Sequence, residues 1–111
     1  MTYDNALADR IREMLVGDDD VNEMKMFGGL AFLVSGNMAV AASGQGGLLV
    51  RVDPASSDNL VATTKAHFME MRGRPMAGWL RVDADDVRTK RQLEKWVRRG
   101  TTYARSLPPR R

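Results

Sequence analysis

Leu7, Ile11, Met14 and Leu15 recur three or four positions apart, the period of one face of an α-helix. The spacing predicts a helix from about Tyr3 to Val16. Thr2 is placed to cap its start, and Gly17 to stop it in a left-handed conformation. Asp18, Asp19 and Asp20 then read as an exposed acidic turn.

After the acidic turn the pattern becomes that of strands. Met24, Met26 and the run Leu30–Val34 read as one long strand, interrupted at Gly28-Gly29. A glycine pair inside a strand suggests a bulge or a close backbone approach. Ser35-Gly36-Asn37 predicts a hairpin turn. Met38–Ser43 follows as the second strand, Gly44–Gly47 as a loop and Leu48–Val52 as the third strand. In that strand Leu48, Val50 and Val52 alternate with Leu49 and Arg51, which fits one buried face. Short connections make the three an antiparallel meander.

Asp53-Pro54 opens a second helix, with Asp as cap and Pro at the first helical position. It runs to about Ala66. Phe68–Met71 and Gly78–Val82 read as short strands around Arg72-Gly73-Arg74-Pro75. Thr89 and Gln92 have capping-box spacing. The last helix follows, with an inner stripe of Leu93, Trp96, Val97, Gly100 and Ala104. The predicted order is α-β-β-β-α-β-β-α, an α+β fold in one domain over residues 1–111. Residues 107–111 read as a frayed tail.

Composition adds exclusions. The chain has 111 residues, of which 43 % are hydrophobic and 28 % charged, proportions usual for a globular domain. It has no cysteine, which removes disulfides, thiol chemistry and cysteine-ligated metal centres. The start carries no apolar signal segment, and no run is long enough to span a bilayer. These features make a cytoplasmic location and no membrane association the expectation.

Charge is uneven. Residues 88–111 hold nine basic side chains and one acid, against eight basic and thirteen acidic elsewhere. Arg88, Arg91, Lys95, Arg98, Arg99 and Arg105 are predicted to form an exposed cationic band on the last helix, because Leu93, Trp96, Val97 and Gly100 take its inner side. The band is a candidate interaction face. It is also what a solvated helix looks like beside an acidic body.

Three segments carry a resemblance. The first is Met26-Phe27-Gly28-Gly29 with the strand Leu30–Val34 and the turn at Gly36. The second is Gly73-Arg74-Pro75-Met76 with Trp79 shortly after. The third is Leu93-Glu94-Lys95-Trp96-Val97-Arg98-Arg99. In order and spacing, over Leu7 to Arg105, the chain resembles the TfoX N-terminal domain family. That resemblance implies two layers, with helices packed on a curved antiparallel sheet, similar to the type III secretion chaperone group. The family's founding bacterial members regulate natural competence with the transcription machinery and carry a further C-terminal domain. The present chain reads as the first domain standing alone. The family has no agreed catalytic residues to carry over.

Chemistry-bearing candidates are few. Gly28-Gly29 and Gly44–Gly47 lack the Lys-Ser/Thr or the following helix that phosphate loops need; bulge and turn roles are expected. His67 has no acid near it in sequence to orient it. Asp18–Asp20 and Asp83, Asp85 and Asp86 lack EF-hand spacing and are expected to cap helices or oppose helix dipoles. Met24, Met26, Met69, Met71 and Met76 suit either core filling, the commoner case, or an adaptable surface. Arg72 and Arg74 are expected to bridge to the acidic body. The sequence therefore predicts no enzyme, no cofactor and no metal. The resemblance implies a regulatory or adaptor domain that binds a protein, with homodimerisation also compatible. The alternatives are a nucleic-acid-associated factor using the basic helix, or a small-ligand-binding domain.

Overall fold

A computed structural model describes residues 3–26 and 28–110. Thr2, Phe27 and Arg111 lie outside the described residues. Those described form α1 (Asn5–Met14), β1 (Val21–Met26), β2 (Gly29–Val34), β3 (Asn37–Ala42), β4 (Leu48–Arg51), α2 (Pro54–Thr63), β5 (His67–Met71), β6 (Arg74–Val82), a single 3-10 turn (Ala84–Val87) and α3 (Lys90–Ser106). The strands make one antiparallel sheet in the order β1-β2-β3-β4-β6-β5. The architecture is α+β.

One strand was expected where there are two. Val21 pairs with Val34 and Met26 with Gly29, so the chain reverses at the glycine pair instead of bulging through it. The local chemistry explains the reversal. Gly28 has φ +74°, and a Cβ at Gly29 would overlap the Ala42 carbonyl oxygen. A tight hairpin pressed against β3 requires both features. The β2–β3 hairpin turns through Ser35-Gly36 as the pattern implies, whereas the β5–β6 hairpin turns through Arg72-Gly73 alone, so that Arg74 and Pro75 already pair in β6, which starts four residues before the expected Gly78; both turns have positive φ at each position.

Caps account for the helix starts. The Asp4 carboxylate accepts from the N–H groups of Ala6 and Leu7 at 2.9 and 3.2 Å, and Asp53 accepts from Ala55 at 3.0 Å. Thr89 and Gln92 form a complete capping box. The second helix ends at Thr63, three residues before Ala66. At the other end of the chain the tail is pinned. Asn37 donates to the Pro108 carbonyl at 2.9 Å, and the Arg110 N–H donates to the Ser35 carbonyl at 2.8 Å. The prediction of fraying ignored the donor of Asn37 and the acceptor of Ser35 that the tail meets at the β2–β3 hairpin.

All three α-helices pack on one face of the sheet. The register aligns Phe32, Val40, Val50, Leu80 and Phe68 across it. Leu7 and Ile11 of α1, Leu93, Trp96 and Val97 of α3 and, partly, Leu60 and Val61 of α2 join that row in the main core. Trp96 is buried, 6 % exposed, as its place in the stripe predicts. A β-bulge sets the alternation. Phe32 pairs with Val40, but Leu33 pairs with Met38, so Ala39 is one residue extra. Its carbonyl oxygen faces Gly100 so closely that a Cβ there would overlap it. Helix α3 thus sits in contact with β3 backbone, a distance only glycine permits.

Candidate functional site

The second face of the sheet has a different make-up. Pairing aligns Met24, Ala31, Ala41, Leu49, Arg81 and His67 straight across all six strands. Ala31, Leu33, Met38, Ala41, Leu49 and Met69 form its apolar cluster, with Met26 and Trp79 half-buried against them. Only strand residues contribute, whereas every helix residue in the apolar clusters belongs to the first face. Leu49 is 2 % exposed, so β4 buries both faces, against the expectation of one. The bulge at Ala39 turns Met38 onto this side.

Around the cluster the face is open. Met24 is 53 % and Met71 44 % exposed. The core-filling expectation for the strand methionines therefore fails at Met24 of β1 and at Met71 at the end of β5, where edge strands have no layer above them. It holds for Met69, while Met26 and Met76 are half-buried. Two half-buried arginines stand on the same face. Arg51 lies 5.2 Å from the Trp79 ring centroid and 5.7 Å from that of Tyr103, a cation held between two rings. Arg81 donates to the Ser43 hydroxyl at 2.9 Å. Among the described residues neither has a carboxylate within ion-pair distance.

The basic band of α3 does not stay one surface. Arg105 spans to Asp20 at 3.1 Å and Asp18 at 3.2 Å; these bonds raise its pKa and lower that of Asp20. Arg88 pairs with Asp85 at 2.7 Å and Arg98 with Glu94 at 3.7 Å. Arg99 lies over the Trp96 ring at 4.4 Å. Arg91 and Lys95 have no carboxylate partner among the described residues. The acids expected to cap helices act mainly as ion partners instead, because folding brings Arg105 of α3 beside Asp18 and Asp20 and brings His67 and Lys65 beside Asp83 and Asp86, while Arg88 meets Asp85 locally. Asp83 makes no side-chain cap bond.

His67 does find an acid. Its Nε2 is 3.2 Å from Asp83 Oδ1, with side chains 52 and 70 % exposed. Arg12 holds Glu23 at 2.6 Å, which depresses the Glu23 pKa through the hydrogen bond. Arg72 and Arg74 are exposed and make no ion pair among the described residues, since their hairpin projects away from the acidic turns. Gly73 turns that hairpin, Pro75 is exposed beside it, and Trp79 belongs to the second face. Arg51, Arg81, Tyr103 and Lys65 had no sequence signal. Only strand pairing and helix packing bring them to their sites.

A six-stranded antiparallel sheet with helices on one side and a methionine-rich opposite face defines a two-layer α+β domain. The chain belongs to the TfoX N-terminal domain family, whose model matches residues 13–104. Among curated proteins compared with it, none matches. No described helix is long and apolar enough to cross a membrane.

Proposed function

We propose that this domain is a non-catalytic regulatory or adaptor module that binds another protein on the helix-free face of its sheet. The observation that carries the reading is Arg51, a half-buried cation at the end of β4, held by Trp79 of that face and by Tyr103 reaching from α3, with no carboxylate within ion-pair distance among the described residues. The occupant is an extended or helical protein segment with apolar side chains and at least one carboxylate. Apolar residues meet Met24, Met26 and Met71, whose flexible thioethers adapt to shape. A carboxylate meets the guanidinium of Arg51, and Arg81 offers a second. Five inter-strand steps span roughly 24 Å, enough for a segment of that kind. A second copy is the poorer fit, because it brings the same two cations.

The regulatory part of the reading rests on the family, and the non-catalytic part on the setting of the ionisable groups. His67 and Asp83 sit on open surface, and the described carboxylates with depressed pKa values, Asp20 and Glu23, are held by arginines.

Photo-crosslinking residues at Met24, Met71 and, as control, Arg98 test this in the native cell. The expected product is one partner captured from positions 24 and 71 but not from 98. Its purified complex should weaken at least tenfold, about 1.4 kcal/mol, with Arg51→Glu or with the partner's acid neutralised. Capture only from position 98, capture of a second copy of the chain, or indifference to Arg51→Glu overturns the reading.

A further inference from the structure

We propose a second site on the opposite side of the molecule: the cleft between the α2–β5 connection and the first turns of α3 binds the phosphate group of a small ligand. It holds about 280 Å³. Arg91, Lys95 and Arg99 recur every four residues along one side of α3, and Lys65 reaches the same space from the α2–β5 connection. Four cations thus surround a cleft whose acidic side chain is Asp86.

The charges there are poorly neutralised from within. Asp86 is 3.9 Å from Lys65, whose side chain is 83 % exposed, a contact worth little in solvent. Arg91 and Lys95 have no carboxylate partner among the described residues. Like charges at i and i+4 destabilise a helix by themselves. Here the repulsion is concentrated at a concave surface, where an anion relieves all of it together.

A larger groove, about 500 Å³, lies between α1 and α3. Its four cations, Arg10, Lys90, Arg98 and Arg105, share the groove with three acids, Glu13, Asp18 and Glu94. Arg105 holds Asp18, Arg98 faces Glu94, and Arg10 donates to the Val87 and Arg88 carbonyls at 2.9 and 3.0 Å. Size favours that groove and unpaired charge favours the smaller cleft, and for an anion charge decides.

The cleft also specifies the ligand class. Guanidinium groups fork onto phosphate oxygens, and ammonium groups add point charge. Trp96 is buried and its ring is covered by Arg99, so no free aromatic face remains to stack a base, the usual anchor of single-stranded nucleic acid. The volume lies just below the usual range of drug-sized pockets. A compact phosphorylated molecule fits these limits better than a polymer.

The test is isothermal titration of the whole domain with pyrophosphate, inorganic phosphate and a short DNA duplex, at about 50 and 150 mM salt. Pyrophosphate should bind one to one and tighter than inorganic phosphate. Binding should fall at least tenfold in Arg91→Glu/Lys95→Glu and stay unchanged in Arg98→Glu. On wild-type protein, amide NMR shifts should cluster at Lys65, Arg91 and Lys95, which keeps the test independent of variant folding. No heat up to ~10 mM, a concentration that detects even millimolar affinity, overturns the proposal. So does duplex binding tighter than pyrophosphate with a steep salt slope, which would make the surface a nucleic-acid face. The site shares no residue with the sheet face, so either reading can fail alone.

Discussion

The two faces of the sheet are built from the same strands and end in different states. On one, Phe32, Val40, Val50 and Leu80 are sealed under three helices. On the other, Ala31, Ala41 and Leu49 are just as buried by area, yet only strand side chains lie around them. Equal burial therefore conceals unequal packing. A residue under a helix loses contacts above and beside it when truncated, whereas one on the open face loses only lateral ones. The difference teaches where this domain keeps its stability and where a side chain can change at little cost to the fold.

The strongest way to break that comparison is Trp96→Ala. Deleting a buried aromatic between α3 and the sheet should remove about 3–5 kcal/mol, measured by urea unfolding. A variant melting like the wild type would mean that the helix face does not carry the stability assigned to it.

Leu80→Ala against Leu49→Ala sharpens it. Both side chains are buried, at 0 and 2 % exposure, but on opposite faces. Truncation should cost about 4 kcal/mol at Leu80 and about 2 at Leu49, within the range set by how far a site collapses. Equal losses would mean that the open face is packed as tightly as the covered one.

Gly100→Val tests the contact between α3 and the bulge. The new side chain meets the Ala39 carbonyl and should destabilise by about 1–3 kcal/mol, as overpacking does. Gly73→Val, at a turn with open space around it but positive φ, makes a useful contrast: backbone strain acts there without a clash.

Substitution at Met24 should leave thermal stability within about 0.5 kcal/mol, the usual bound for a surface site. A large loss at Met24→Ser would show that this side chain supports the fold.

The smallest effect is confined to acid. The pKa values of Asp20 and Glu23 lie below their ordinary 3.8 and 4.5 because Arg105 and Arg12 bond their charged forms. The folded state then binds fewer protons than the unfolded one. The stabilisation is complete above the ordinary values and is lost as pH falls through the lowered ones. Asp20→Asn with Glu23→Gln should flatten the melting temperature below about pH 4.5 and change its slope little above.

Much of the fold was legible along the chain. The capping box at Thr89, the stripe through Leu93, Trp96, Val97 and Gly100, and the Ser35-Gly36 turn depend on neighbours within a few positions. The errors share one cause. Gly28-Gly29 reads alike as bulge or reversal, because the choice is made by Ala42, thirteen residues past Gly29. Asp4 rather than a residue before it caps α1, which local pattern does not rank. The cationic band looked uniform in sequence; it divides because Asp18 and Asp20 lie beside Arg105 only after folding. Arg51 between Trp79 and Tyr103 joins three separate elements, and nothing in its own neighbourhood marks it.

The seat of Gly100 on the Ala39 carbonyl has a mechanical consequence. One residue of axial slip is about 1.5 Å, and it would drive a side chain of α3 into β3 backbone. The helix is keyed to the sheet like a shaft in a slot. It cannot act as a piston that carries a signal along its length. The charges along its first turns, and Arg105 beside the acidic turn, are therefore held at a fixed spacing from the strands below.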